Sequence, residues 1–311
     1  MYQQLSEWVS AGIPTFFYSD FVGENLIAHP IDQLPNHDIE FSFHTAKAPL
    51  NSPHTPLSSP IQANEYRKKF ERVQEHIRSG NTYLLNLTQP TPIETSYSLK
   101  EIYGMAHASF KLRVGNQFVC FSPEPFITIE KDRIHTYPMK GTIDAEIPNA
   151  IETILNDPKE LAEHTMIVDL LRNDLGIVAR NIRVEEFRYI STITAGKKKL
   201  HQVSSHISGE LTTQWKSAIG ELLRQLLPAG SISGTPKKKS VEIIKEIEGY
   251  ERGYFTGIFG YFDGESLYSA VAIRFIENHD GKLIYKSGGG ITAESNWEKE
   301  YQEMIDKIYI P

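Results

Sequence analysis

The sequence predicts an α+β fold, a large assembly of antiparallel sheet with amphipathic helices. Three observations carry this. Short runs rich in β-branched and aromatic residues recur between turn signals, as in FVCFS, FITIE and KLIYKS. Between them lie stretches whose apolar residues repeat at helical spacing. Runs of strands alternate with these helices along the whole chain, and no short-period repeat is present.

Taken in order, residues 1–60 read as short strands and irregular links, with a Pro- and Ser-rich stretch, 46–60, expected to be an exposed, mobile loop. From Asn64 a helix is predicted by Tyr66, Phe70, Val73 and Ile77, and Gly80 ends it. NTYLLNLT (81–88) reads as a strand followed by a Pro-rich break, and SLKEIYGMAHAS as a helix. FVCFS and FITIE are strands, the second turning at Lys131–Asp132. Asp157 and Pro158 form an N-cap and first helical residue, and the helix they open runs to about Gly176. NIRVEEF and KKLHQVSSHISGEL are strand-like, AIGELLRQLLP a helix, AGSISGTP a small-residue loop and SVEIIKEIE a helix. YFTGIFGYFDGESLYSAVAIRFIE reads as a hairpin turning at Asp263–Gly264. KLIYKSGGGIT is a strand closing on three glycines, and Ser295 with Glu298 makes a capping box for the last helix, which buries Tyr301, Met304, Ile305 and Ile308.

The composition is that of a globular protein with ample core, 40% hydrophobic and 23% charged over 311 residues. A formal charge of −7 argues against a nucleic-acid partner, since the basic runs Lys197–Lys199 and Lys237–Lys239 are short. One cysteine, Cys120, excludes internal disulfides and reads as a buried small hydrophobe. The N-terminus has no basic region of a signal peptide, and no apolar stretch is long enough to span a membrane. A cytoplasmic location without membrane attachment is the expectation.

Two glutamate pairs stand out. Glu160 and Glu163, and Glu300 and Glu303, are each three residues apart on a predicted helix, so each pair shares a face. Either pair alone reads as a solvated surface. Together, if the helices face each other, four carboxylates converge and call for a hard cation, for which Mg²⁺ suits. Gly288, Gly289 and Gly290 lie before the last helix and read either as a tight turn or as backbone open to an anionic ligand. Lys307, one turn beyond Glu303, is an ordinary ion-pair partner or the holder of a substrate carboxylate. Arg274, in the apolar string AVAIRFIE, faces solvent or grips a carboxylate bidentately. His201 in LHQVSS is a structural or an active histidine. Lys140 in YPMKGT is a surface lysine, or an amine whose pKa is depressed in a desolvated site to give a nucleophile. Glu124 in FSPEPF is an exposed turn carboxylate or an acid on a neighbouring strand.

As a set, these strings resemble the chorismate-utilising enzymes. SPE (122–124), PMKGT (138–142), AEHTMIVDLLRNDLG (162–176), AGSISGTPK (229–237), GIFGY (257–261), AIRF (272–275) and GGGITAESNWEKEYQEM (288–304) run in the family's order over about 64–311. The resemblance implies a sandwich of antiparallel sheets with helices outside, in a single chorismate-binding catalytic domain, 1–311, whose N-terminal region (about 1–60) is short. It implies Mg²⁺ held at Glu160, Glu163, Glu300 and Glu303, with Glu163 and Glu303 as direct ligands. It matches Lys140 to a covalent nucleophile, Glu124 to the acid/base at the departing hydroxyl and His201 to an active-site histidine. Thr142, Arg274, Gly289, Gly290 and Lys307 match substrate contacts. A lysine in the PMKGT position marks the aminodeoxychorismate synthases of para-aminobenzoate and folate biosynthesis, whereas anthranilate and isochorismate synthases carry alanine; these two, and a non-catalytic member that keeps the fold, are the alternatives. Nothing here resembles a glutaminase, so ammonia would come from a separate glutamine amidotransferase subunit or from solution. The sequence departs from the family at Met139, at Ile143–Ala145 and at Phe255, where a tyrosine is usual, so that one substrate hydroxyl contact is either missing or supplied by Tyr254.

Overall fold

The computed structural model describes residues 1–43, 54–195 and 198–311, without the side chains of 193–195 and 198. Most of the proposed loop at 46–60 and Lys197 of the Lys197–Lys199 run therefore lie outside the described residues.

The chain opens not with strands but with a helix, α1 (Tyr2–Ser10), which buries Leu5 and Val9. Strands β1 (Thr15–Ser19), β2 (Leu26–Pro30) and β3 (Ile39–Phe43) follow, with a 3-10 turn between the last two. Next come β4 (Leu57–Ser58), α2 (Ala63–Arg78), β5 (Leu84–Glu94) and α3 (Leu99–Met105). The central strands are β6 (Phe110–Val114), β7 (Phe118–Ser122), β8 (Pro125–Glu130), β9 (Arg133–Thr136) and β10 (Met139–Asp144). Helices α4 (Ala150–Asn156) and α5 (Pro158–Val178) lead to the long hairpin β11 (Arg180–Ala195) and β12 (Lys198–Glu210). The remainder is α6 (Trp215–Leu226), α7 (Gly230–Ser233), β13 (Gly234–Thr235), α8 (Lys237–Glu248), β14 (Ile258–Phe262), β15 (Leu267–Val271), β16 (Phe275–His279), β17 (Lys282–Ile291) and α9 (Trp297–Asp306).

Among the described residues these strands form two antiparallel sheets. A nine-stranded sheet runs β10-β12-β9-β8-β15-β14-β1-β2, with β11 on β12. An eight-stranded sheet runs β13-β5-β17-β16-β7-β6-β3, with β4 on β5. Strand β1 shows how they pack, because all five of its residues are buried. Phe16 and Tyr18 point to a core shared with Leu112, Cys120 and Phe275 of the second sheet. Phe17, on the opposite face by strand alternation, packs in a core lined by α1, α6 and α8. The expected α+β sandwich with helices outside is what forms.

Local readings mostly hold. Asp157 Oδ1 accepts from the backbone N–H groups of Lys159 and Glu160, with Pro158 in the first turn of α5. The β14–β15 hairpin turns at Asp263, whose carboxylate accepts from the N–H groups of Glu265 and Ser266. Four readings are corrected. Strand β5 continues through Pro90 and Pro92 rather than breaking there. The glycines 288–290 are strand residues of β17, paired with Thr88, Leu87 and Asn86, and do not abut a helix N-terminus. Asn296, not Ser295, caps α9, and Ser295 instead donates to Glu300. Arg274 lies outside any strand, in a bend at φ 53°.

Candidate active site

The site is assembled where β10, α5, α7 and the ends of β5 and β17 meet. One pocket there is lined by Glu124, Lys140, Glu163, Ser231, Asn86 and Gly290, among others. Strand β10 delivers Lys140 through an irregularity: the ladder to β12 shifts register between Met139 and Thr142, and Gly141 takes φ +95°. Such a bulge bends a strand and re-aims its side chain.

The Lys140 amine lies 2.8 Å from Glu163 Oε2, on the face of α5 that the three-residue spacing predicted. Burial alone would lower its pKa. The Glu163 hydrogen bond and charge outweigh that, with Glu160 and Glu303 adding to them, so it is raised. The expectation of a depressed lysine pKa is therefore corrected: in this structure the group is a held ammonium. Glu160 Oε2 of α5 lies against Gly141, the residue after Lys140, and Glu300 Oε2 and Glu303 Oε1 of α9 converge beside Gly289, both within electrostatic reach of the Lys140 charge.

On α9, Lys307 Nζ lies 2.6 Å from Glu303 Oε1 and donates to the Gly288 carbonyl at 2.8 Å. Burial would raise Glu303, but the Lys307 cation holds it below the usual range. Glu300 is raised, chiefly by burial and further by Glu303, against the donated Ser295 hydroxyl. Glu124 is raised by burial, which overrides the Ser231 hydroxyl and the more distant Lys307. A buried carboxyl with a raised pKa in the same pocket as an amine is the pairing that acid catalysis at a leaving group uses.

Among the described residues no three acidic, histidine or cysteine side chains are gathered into a ready-made cage. The donor set nevertheless suits a hard ion, being carboxylate oxygen throughout. Glu160 Oε2 is buried with no hydrogen-bond partner, an acceptor left over. Gly289 leaves open the space beside Glu300 Oε2, Glu303 Oε1 and Lys307 Nζ, which a Cβ would approach to 3.4, 3.5 and 3.7 Å. These features fit Mg²⁺.

Of the expected residues Glu124, Lys140, Glu163 and Gly290 line the pocket, Glu160, Glu300, Glu303, Gly289 and Lys307 belong to the acidic faces beside it, and three stand apart from both. His201 pairs with Ile143 in the ladder, its Nδ1 is 3.0 Å from Thr192 Oγ1, and it borders a separate open groove against α4. A single-residue step along a strand reverses the face, and sequence alone cannot tell which face a bulged ladder presents. Thr142 is exposed on the far side of the bulge. Arg274 is close enough to Glu303 to lower its pKa, but its guanidinium donates to the Lys307 carbonyl at 3.3 Å and lies 4.9 Å from the centre of the Tyr309 ring. Phe255 is buried in the core, and Tyr254 stacks on Phe118. Sequence reasoning passed over Ser231 and His164. Ser231 sits in a string read only as a loop, and His164 follows Glu163 on a helix whose glutamates drew the attention.

A family model described as chorismate binding enzyme matches residues 24–311. An uncharacterised PabA-like protein of Pasteurella multocida is 47% identical over 315 residues, spanning 99% of this chain and 97% of its own. Aminodeoxychorismate synthase component 1 of Escherichia coli is 34% identical over 275 residues, 81% of this chain but 58% of its own. The crystal structure of anthranilate synthase component I from Streptococcus pneumoniae superposes with a TM-score of 0.67 at 25% identity, covering 84% of this chain and 60% of that one. The menaquinone-specific isochorismate synthase of Escherichia coli shares the fold, with a TM-score of 0.68 at 18% identity over 85% of this chain and 64% of its own.

Proposed function

The chain belongs to the chorismate-binding enzyme family, and from that premise we propose that it joins chorismate and ammonia to give 4-amino-4-deoxychorismate, on the route to para-aminobenzoate and folate. The observation that carries this reading is the Lys140 amine, set on Glu163 in a pocket that also holds Glu124. A surface lysine has no reason to pair with Glu163 in a pocket that also holds a buried carboxyl.

Chorismate carries two carboxylates and an allylic hydroxyl at C4. In this reading Lys307 would hold the ring carboxylate and Arg274 the enolpyruvyl one. Glu163, 2.8 Å from the amine, stands where it can take the proton that Lys140 must lose. The neutral amine bonds to C2, both ring double bonds shift along the conjugated path through C1, C6 and C5, and the C4–O bond breaks. Glu124 gives its proton to the departing hydroxyl, which leaves as water. Ammonia then bonds to C4, both double bonds shift back, and the C2–N bond breaks to return Lys140. The proton released by ammonia restores Glu124. Splitting one poor displacement into two easier ones is the gain from a covalent intermediate. Mg²⁺ held by Glu163 and Glu303, with Glu160 and Glu300 beside them, would polarise the ring carboxylate when bound. Ammonia would be supplied by a glutamine amidotransferase partner.

The test is incubation of the purified chain with chorismate, Mg²⁺ and ammonium, with products resolved by chromatography. Aminodeoxychorismate is expected. Anthranilate or isochorismate would replace this reading with another family reaction, and no product would remove it.

A further inference from the structure

The geometry points to His164 as the positioning residue that holds the β10 bulge and so aims the Lys140 amine into the pocket. This rests on the reading of Lys140 as the reacting group. Between Met139 and Thr142 the β10–β12 ladder loses register, so the Lys140–Gly141 peptide falls where regular cross-strand pairing is interrupted. The Lys140 carbonyl instead faces an imidazole, with His164 Nδ1 at 3.2 Å. A carbonyl only accepts, so Nδ1 carries the hydrogen. His164 Nε2 is 2.7 Å from Ser205 Oγ, and that oxygen also accepts the Arg188 backbone N–H at 2.9 Å. The Ser205 N–H in turn donates to the Pro138 carbonyl at 3.0 Å. The two ends of the Pro138–Lys140 segment are thus tied to one serine of β12, the near end directly and the far end through the imidazole. His164 and Ser205 are both fully buried. His164 is also the residue after Glu163, so one turn of α5 supplies both the carboxylate that receives the amine and the ring that fixes its backbone.

The bland alternative is a satisfied core histidine whose loss costs stability alone. Two substitutions separate these. The amide nitrogen of asparagine lies as many bonds from Cβ as histidine Nδ1, so His164→Asn keeps a donor for the Lys140 carbonyl. The amide of glutamine matches Nε2, so His164→Gln reaches Ser205 but gives up Lys140. The full-length chain and both variants are treated with acetic anhydride. Acetylation of Lys140 relative to exposed Lys282 is read by peptide mass spectrometry, beside the thermal midpoint and kcat and KM for ammonia-dependent turnover. Expected for Gln is a Lys140 acetylation ratio at least threefold above wild type. Its kcat should fall between tenfold and about a hundredfold, the scale of a small misplacement of a reacting group, with KM within about twofold. Expected for Asn is a ratio and kcat near wild type. The inference is overturned if Gln leaves the ratio unchanged, or if Asn and Gln alter it equally. Acetylation needs no chorismate, so a wild-type chain without turnover would count against the proposed reaction while this arm still decides the role of His164.

Discussion

Burial in the pocket wall pushes the Glu124 carboxyl above its ordinary range, against the opposing pull of Ser231 and Lys307. A raised carboxyl keeps its proton to higher pH, so the acid is present below its shifted pKa and lost as pH rises through it. The kcat profile should therefore fall on its alkaline side as Glu124 ionises, at a pH above that of a free glutamate. Glu124→Gln should abolish that limb and lower kcat by about 10²–10⁴-fold, which a pH–rate series on both proteins checks. At this scale the sequence was informative where chemistry is local. The setting of Lys140 between Pro-Met and Gly-Thr marked it, and the three-residue glutamate steps placed two carboxylates on each helix face. It could not foresee that Glu163 would pair with Lys140 and raise its pKa, because that contact depends on a bulge and on a separate helix, α5, that begins only at Pro158.

Two neighbouring glycines of β17 differ in what they tolerate. A Cβ at Gly288 would stand 2.2 Å from the Leu87 carbonyl oxygen of β5, an overlap with backbone that a flexible side chain cannot relieve. Gly288→Ala should lower the urea midpoint, at about 1–3 kcal/mol for an overpacked site. A Cβ at Gly289 meets nothing nearer than 3.4 Å, but it enters the space between Glu300, Glu303 and Lys307. Gly289→Ala should keep the urea midpoint and weaken Mg²⁺ binding, measured by calorimetry. Equal loss of stability in both variants would contradict this distinction. The triple glycine was legible as unusual, but reading it as a turn before a helix was mistaken. Glycine is weakly β-forming, so the string reads as a strand that closes on the three glycines, and only their pairing with β5 carries it on through Ile291.

Across the molecule, a buried ion pair joins elements that line the pocket. Arg252 Nη2 meets Glu248 Oε1 at 2.7 Å with both side chains almost wholly buried. The same guanidinium donates to the carbonyls of Ile232 on α7 and Asn86 on β5, next to Ser231 and at the pocket wall. Glu248 also accepts from the Thr88 N–H and hydroxyl. Arg252→Met would strand that carboxylate, so unfolding should become easier by about 3–5 kcal/mol, while the double change Arg252→Met with Glu248→Met should cost less. Chemical denaturation of the two proteins decides it. The sandwich was foreseeable because strand and helix periods are local signals, and their order resembled a family. The α1 helix was not, since its short pattern, Leu5 and Val9, is completed only by α6 packing against it.

Lys140 is the centre on which the chemistry turns, and its covalent role can be observed directly. The chain is mixed with chorismate and Mg²⁺ without ammonia, quenched in acid and mapped by peptide mass spectrometry. The expected result is chorismate less one water attached to the Lys140 peptide, discharged when ammonium is added before the quench, and missing from Lys140→Ala. Formation of aminodeoxychorismate at the full wild-type rate by Lys140→Ala, with no adduct on the wild-type lysine, would contradict it.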